Sequence, residues 1–331
     1  MERVSSIDMQ TVITSPETLS IEPCTHCQLH CPGCPNMDLG HPPGVGWGRL
    51  KFDDFRRLID DNPEIKRIYF DCFGEVFLNK DILPMLEYGA ARNLSFIFSS
   101  ANFNHVPEAT LEGLVKHGVE EVMVAFDGIT PETYAIYRKR GDLNRVLENV
   151  RKLNAYKKQF QSDRPKLVWL WVVFGHNQHE IPQAMELAQE LGMQFKPKMQ
   201  WDSSYSPISD PEQLKATLGW DYSTRESYSA NTGDDYMKRV CHQLWRSPKI
   251  NWNGTVLGCC WTQEGFGGNA FEDGYQAAIN NEKIVYARRM LSGEAPARND
   301  IPCTRCSLYQ KRLETGRFLT EEEVKNHPRA R

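Results

Sequence analysis

The sequence predicts an α/β fold, and three observations carry that prediction. Strand-like and helix-like runs alternate six times between Thr18 and Trp201, one strand run is apolar throughout, and the last third of the chain changes character. Residues 19–22 (LSIE) read as the first strand and residues 52–61 as a helix. Residues 66–71 (KRIYFD) form a second strand, followed by a helix carrying Ile82, Met85, Leu86 and Gly89. Residues 94–98 (LSFIF) are a third, whose helix sets Leu111, Leu114 and Val115 on one face and stops at Gly118, a C-cap residue. Residues 119–126 (VEEVMVAF) are the fourth, leading into a helix that ends near Asn154. Residues 166–174 (KLVWLWVVF) run without a break, as in a strand covered on both faces. Trp169 and Trp171 fall two apart there, so both rings face one side, as core residues do. A helix over 181–191 stops at Gly192, and residues 194–200 are the sixth strand. Such a series implies a parallel sheet with right-handed crossovers, either closed or part-closed into a barrel or doubly wound. No GxGxxG follows the first strand, so a dinucleotide-binding sheet has no direct support.

Residues 202 to about 238 are rich in Ser, Tyr, Asp and Thr and poor in aliphatics. They read equally as a long linker or as a loop covering a binding mouth. Beyond them, residues 250–257 (INWNGTVL) are a hairpin around Asn253-Gly254. A helix near 281–291 and the Cys303/Cys306 pair complete a small second domain. The expected division is 1–201, 202–238 and 239–331.

At 331 residues, with 40% hydrophobic and 11% aromatic content, the chain can bury a sizeable core, which excludes disorder as its main state. A net charge of −4 without a basic face argues against nucleic-acid binding. No apolar run approaches the ~20 residues of a membrane span. Met1-Glu2-Arg3-Val4-Ser5-Ser6 lacks the apolar core of a signal peptide, so a cytoplasmic protein is expected.

Ten cysteines in such a compartment point to metal rather than to disulfides. Four fall within eleven residues: Cys24, Cys27, Cys31 and Cys34. Cys72 stands alone, and Cys241, Cys259, Cys260, Cys303 and Cys306 lie in the last third. The thiols of Cys27, Cys31 and Cys34 are too close together for a zinc ribbon but can bind three irons of one [4Fe–4S] cube. The fourth iron is then open to a substrate or cofactor. A structural zinc site using all four leaves little room for tetrahedral closure. Cys24 is most simply a strand-end residue.

CxxxCxxC after a first strand resembles the radical S-adenosylmethionine (radical SAM) superfamily, and the resemblance runs over most of the chain. It implies a partial (β/α)6 TIM-like barrel in which Cys27, Cys31 and Cys34 hold the cluster. S-adenosylmethionine (SAM) would chelate the open iron and be cleaved reductively to a 5′-deoxyadenosyl radical. Gly33 stands where the family often has an aromatic against adenine. Phe73-Gly74-Glu75-Val76 resembles the GGEP segment that receives the SAM amino group, with Phe and Val departing from the pattern. Ser99, Ser100 and Asn102 stand where a ribose-binding segment would lie. Ala125-Phe126-Asp127-Gly128 resembles SxDG, and Arg138, after Tyr134, suits the arginine for the SAM carboxylate. Independently of the family, loops after barrel strands share one rim, which would gather Cys27, Glu75, Asn102, Asp127, Asn177 and Asp202.

Cys241, Val256-Leu-Gly-Cys259, Gly268-Asn269, Arg288-Arg289 and Cys303-Thr-Arg-Cys306 resemble the shortened SPASM domain called twitch. The resemblance implies an auxiliary [4Fe–4S] cluster on Cys241, Cys259, Cys303 and Cys306, with Cys260 spare by register. A zinc knuckle on the same four cysteines is the alternative. The layout is similar to that of aminocyclitol dehydrogenases such as 2-deoxy-scyllo-inosamine dehydrogenase. It implies an oxidoreductase that converts a sugar or aminocyclitol carbinol to a ketone, reduced by flavodoxin or ferredoxin. Lys196 and Lys198, sharing one face of strand six, with Trp201 and Asp202, are candidate substrate contacts. Cys260 or Cys72 as a hydrogen-donor thiol would instead make an epimerase. Peptide modification, with 202–238 as docking surface, is a third reading, and a zinc-stabilised binding protein a remote fourth.

Overall fold

The computed structural model describes residues 13–34, 45–71, 73–237 and 240–326. The strands are β1 (Thr18–Ile21), β2 (Arg67–Phe70), β3 (Ser95–Ala101), β4 (Glu121–Ala125), β5 (Lys166–Val173), β6 (Met193–Met199), β7 (Lys249–Ile250) and β8 (Val256–Gly258). The helices that matter below are α1 (Phe52–Asp60), α2 (Ile82–Ala90), α3 (Glu108–Lys116), α4 (Pro131–Tyr137), α5 (Leu143–Gln159), α6 (Ile181–Glu190), α7 (Pro211–Leu218) and α8 (Arg225–Thr232). The chain is α/β with parallel sheet strands, as expected. Among the described residues no helix is long and apolar enough to cross a membrane. Packing divides the chain into two discontinuous units. One comprises Met1–Pro23, Pro42–Asp71 and Met237–Arg331, the other Cys24–His41 and Cys72–Tyr236.

In the second unit β3, β4, β5 and β6 pair side by side, all parallel. Met123, Ala125, Val168 and Leu170 form one buried cluster on one sheet face. Ala125 is registered with Leu170, Leu170 with Lys196, and Val172 with Lys198. Registered partners share a face, so both lysines line the same side as that cluster. Trp169 and Trp171 are fully buried on the other side, where Trp169 stacks on Phe126 and donates Nε1–H to the Phe126 carbonyl (2.7 Å). Both faces of β5 are therefore covered, which accounts for its unbroken apolar run.

Two expectations are corrected. The helix expected to end near Asn154 is two helices, α4 and α5, and the second runs on to Gln159. The break sits at residues 138–142, where Arg140 has φ +68° and a Cβ on Gly141 would lie 2.6 Å from the Tyr134 hydroxyl. Asp142 then starts α5 by accepting the Asn144 and Arg145 N–H groups, and Leu143, Val146, Val150 and Leu153 form its buried stripe. The segment read as linker or loop contains α7 and α8. Asp210 caps α7 and Thr224 closes a capping box with Ser227, while Gly219 and Gly233 end the two helices at φ +69°. Only Leu214 is buried on α7 and nothing on α8, so no apolar period announced them.

In the first unit β1 runs parallel to both β2 and β7, and β8 returns antiparallel through Asn253-Gly254, with Gly254 at φ +88°. Arg288, fully buried, donates to the carbonyls of Leu244 and Ile279 and to Asn280 and Thr14, tying four segments together. Lys249, also buried, pairs with Glu22 at 2.9 Å, and Ser20 donates to Asp71 nearby. Burial disfavours the Lys249 ammonium, but Glu22 and Asp71 outweigh it and hold its pKa above the ordinary lysine value. Breaking one side of such a pair leaves an uncompensated buried charge. Glu22→Gln should therefore lower the unfolding free energy by about 3–5 kcal/mol, and Glu22→Leu with Lys249→Met should restore most of it. Urea unfolding of both variants measures this, and equal losses would refute the pairing.

Candidate functional site

The CxxxCxxC loop is fixed by backbone contacts before any ligand is considered. His30 N–H donates to the Lys139 carbonyl (3.0 Å), Glu75 N–H to the His26 carbonyl (2.7 Å), and Cys34 N–H to the Cys31 carbonyl (3.2 Å). A Cβ on Gly74 would lie 2.4 Å from the His26 oxygen and 2.6 Å from the Cys24 oxygen. Only glycine lets residues 73–75 press their backbone against the loop.

Glu75 is buried and accepts the N–H groups of Asn102 (2.7 Å) and Phe77 (3.3 Å). Burial pushes its carboxyl up to about 7, against those donors and Arg138. Asn102 directs Nδ2 at the Cys27 sulfur (3.7 Å) and accepts Gln28 Nε2 (2.9 Å) and Asn104 N–H (3.0 Å) on Oδ1. Asp127, fully buried, accepts the Val172 N–H (2.7 Å) and Arg138 Nε (2.6 Å). Arg138 Nη1 then lies 4.0 Å from the Cys31 sulfur. Seven expected residues thus converge around one loop: Cys27, Cys31, Cys34, Glu75, Asn102, Asp127 and Arg138.

The thiols themselves test whether a cluster fits. Burial pushes the Cys27 thiol up to about 12, and it raises Cys31 as well although Arg138 opposes it. Protein groups alone do not ionise these sulfurs, but a bound metal deprotonates a coordinating thiol. Cys24 is fully buried and points at the His26 carbonyl (3.7 Å), as a strand-end residue. In the first unit, Cys241, Cys259, Cys303 and Cys306 line one small cavity with Leu244, Trp261 and Tyr309 among its walls. Cys259 and Cys303 are raised by burial and by their neighbouring thiols. Cys260 is exposed, its backbone N–H held by Gln243 Oε1 (2.7 Å). Among the described residues no group of three or more His, Cys, Asp or Glu is arranged to hold a single metal ion.

The remaining rim candidates separate. Asn177 is fully buried and does positioning work, accepting the Phe174 N–H (2.8 Å) and donating to the carbonyls of Asp127 (3.1 Å) and Val172 (2.9 Å). Asp202 is exposed and caps a turn by accepting Ser204 N–H (2.9 Å) and Oγ–H (2.6 Å). Trp201 is exposed under the Arg225 guanidinium, 3.8 Å from its ring centre. Lys196 is half-buried and Lys198 exposed. Phe73, Ser99 and Ser100 are half-buried, and Cys72 lies outside the described residues. Sequence reasoning missed Gln28, Asn104 and Tyr137. Asn104 accepts the Asp142 N–H (2.6 Å) and donates to the Tyr134 hydroxyl (2.7 Å), and its spacing from Asn102 was the signal that could have found it. Tyr137 packs on Phe174 with ring centres 4.5 Å apart.

A parallel α/β sheet that gathers three thiols, a buried carboxylate and a buried arginine at one loop has the donor set of an iron–sulfur site beside charged groups suited to a zwitterionic ligand. The chain belongs to the radical SAM superfamily, whose profile matches residues 21–188. That membership carries a [4Fe–4S] cube and SAM, and the residues present fit both. No curated protein matches the chain. Its fold is similar to that of SuiB from Streptococcus suis bound to S-adenosylmethionine, at 14% identity over 91% of this chain and 73% of that one, TM-score 0.64. It is also similar to anSMEcpe with bound AdoMet, at 14% identity over 89% and 84%, TM-score 0.56. A third is BtrN in complex with AdoMet and 2-DOIA, at 16% identity over 89% and 94%, TM-score 0.50.

Glu75 gives this site a pH signature. Its folded value of about 7 lies above the ordinary 4.5, so the folded state holds a proton that the unfolded chain has released. The stability of the neutral form is full below pH 4.5 and is lost as pH rises through about 7. Relative to wild type, Glu75→Gln should gain up to about 3 kcal/mol between those limits. Thermal unfolding across that range measures the gain, and a flat difference would contradict the burial argument.

Proposed function

We propose that this chain oxidises a carbinol of a sugar or aminocyclitol with a SAM-derived radical. The observation that carries the reading is the second thiol set, with Cys241, Cys259, Cys303 and Cys306 facing one cavity of their own. Conversion of a carbinol to a ketone removes a hydrogen atom, a proton and one further electron. A C-terminal cube on those four sulfurs is where that electron would go. A [4Fe–4S] cube and SAM, when bound at the first loop, supply the electron and the 5′-deoxyadenosyl radical that takes the hydrogen atom.

The chain's own residues do the positioning. Cys27, Cys31 and Cys34 would hold the cube, Arg138, oriented by Asp127, would pair with the SAM carboxylate, and Glu75 would accept a hydrogen bond from the SAM amino group. Lys196 and Lys198, on the same face as the buried cluster around Leu170, present cations to the substrate's oxygens. Flavodoxin or ferredoxin is the reductant class this chemistry needs, in a cytoplasmic setting. The cavity-ringing sulfurs favour a cube over a zinc knuckle. Cys260 favours a second reading, since its exposed thiol could return hydrogen to the opposite face of the substrate and make an epimerase.

Iron and sulfide analysis of anoxically reconstituted protein tests the two sets. Wild type should hold about eight irons, falling to about four in the Cys27/Cys31/Cys34→Ala variant. Wild type with about four irons and an empty variant would remove the electron acceptor, and the dehydrogenase reading with it. Product mass then separates the readings. Loss of two hydrogens supports oxidation, whereas unchanged connectivity with one deuterium taken up from D2O supports epimerisation.

A further inference from the structure

Two polar atoms past the C-terminal ends of β5 and β6 are buried and make no hydrogen bond among the described residues: His176 Nε2 and Gln200 Oε1. Both side chains are nevertheless anchored, and on the same residue. Gln200 is 2% exposed and donates Nε2–H to the Ser206 carbonyl (2.9 Å). The His176 backbone N–H donates to Ser206 Oγ (3.1 Å), and its Nδ1 lies 2.9 Å from that oxygen. In the tautomer that carries the proton of neutral His176 on Nε2, Ser206 Oγ receives the backbone N–H and donates its own hydrogen to Nδ1. Burial lowers the imidazole below its ordinary value, which keeps it neutral. The orphaned pair is then one N–H donor and one carbonyl acceptor.

Ser206 is itself immobilised. Gly175 N–H donates to its carbonyl (2.9 Å), and a Cβ on Gly175 would meet the Pro207 oxygen at 1.8 Å. Gln178 fastens the same segment by accepting the N–H groups of Ser209 (2.8 Å) and Asp210 (3.4 Å). Gln200 lies two residues past Lys198 on the alternation of β6, so it continues the lysine-bearing face. His176 stacks on Phe174 at 5.0 Å and meets Tyr205 edge-on at 6.4 Å. Tyr205 and Phe174 both pack on Tyr137 (ring centres 6.0 and 4.5 Å), which lies beside the Arg138 guanidinium that reaches the Cys31 sulfur (4.0 Å), and this puts the pair on the cluster loop's side of the sheet.

A donor set beside an acceptor on a rigid mount matches hydroxyl groups, which do both. We propose that His176 and Gln200, clamped by Ser206, form the subsite that grips a hydroxyl-bearing ring of the substrate. This rests on the carbinol reading above. His176→Asn retains a polar atom toward Ser206 and deletes Nε2, Gln200→Met deletes Oε1, and His176→Gln returns an amide N–H near the Nε2 position. Calorimetric titration of reconstituted holoenzyme with SAM, using 2-deoxy-scyllo-inosamine and scyllo-inositol as probes, reads the effect. His176→Asn and Gln200→Met should each weaken probe binding about tenfold, with SAM affinity unchanged and His176→Gln close to wild type. Wild-type probe affinity in both deletions overturns the subsite, and so does a parallel loss of SAM affinity, which would place the pair on the cofactor. Wild type that binds neither probe overturns the carbinol reading and the subsite with it. Gln200→Glu, which keeps the acceptor, serves should Gln200→Met fail to fold.

Discussion

The buried ion pair between Asp127 and Arg138 is the interaction on which the site depends. Asp127 has no solvent contact, and Val172 N–H and Arg138 Nε occupy its two oxygens. One pair thereby ties the end of β4 to β5 and to the residue that ends α4. Gly128 permits this geometry, since a Cβ there would lie 2.4 Å from the Tyr134 nitrogen. The next residue, Lys139, holds the cysteine loop through its carbonyl. With Nε committed to Asp127, the remaining guanidinium reaches toward Cys31, so its direction is set before any ligand arrives.

The same economy recurs at the other strand ends. Gly74 lets residues 73–75 lie on the cysteine loop, and Gly175 lets residues 206–207 lie on the turn after β5. Each close approach brings a polar side chain with it: Glu75 in the first case, His176 in the second. Burial then acts on both groups in the direction that disfavours charge, raising the carboxyl and lowering the imidazole. The site is thus a set of polar groups held neutral or paired by close backbone contacts, and a charged ligand shifts that balance.

What the sequence made legible was local. The cysteine spacings, the six strands and the Asn253-Gly254 hairpin are short-range patterns, and their positions agree with the structure to within a few residues. Long-range causes stayed hidden. The break between α4 and α5 follows from Tyr134 against Gly141 and from Asn104 holding Asp142, contacts that no window of local periodicity contains. Helices α7 and α8 were hidden because caps and glycine stops define them, with almost no buried face. Lys249 and Glu22 form a buried pair across two strands, a contact that no short-range pattern contains. Asp202, which follows β6, also caps a turn by accepting the Ser204 N–H, a local role that its position alone did not announce.

The surroundings of the two thiol sets argue for a division of labour on the proposed reading. Around Cys27 and Cys31 stand an amide donor, a guanidinium and a buried carboxylate, and only three sulfurs are within the CxxxCxxC loop. Around Cys241, Cys259, Cys303 and Cys306 stand Val240, Leu244, Trp261, Leu291 and Tyr309, with no basic side chain among the described residues of the wall. Polar neighbours and a missing ligand suit a cube that must bind and orient a zwitterion. Four ligands in an apolar wall suit one that only takes up an electron, because ligand number, hydrogen bonds to sulfur and solvent exposure together set its potential. The chemistry of both sites would then follow from which side chains each lining lacks as much as from the cysteines they share.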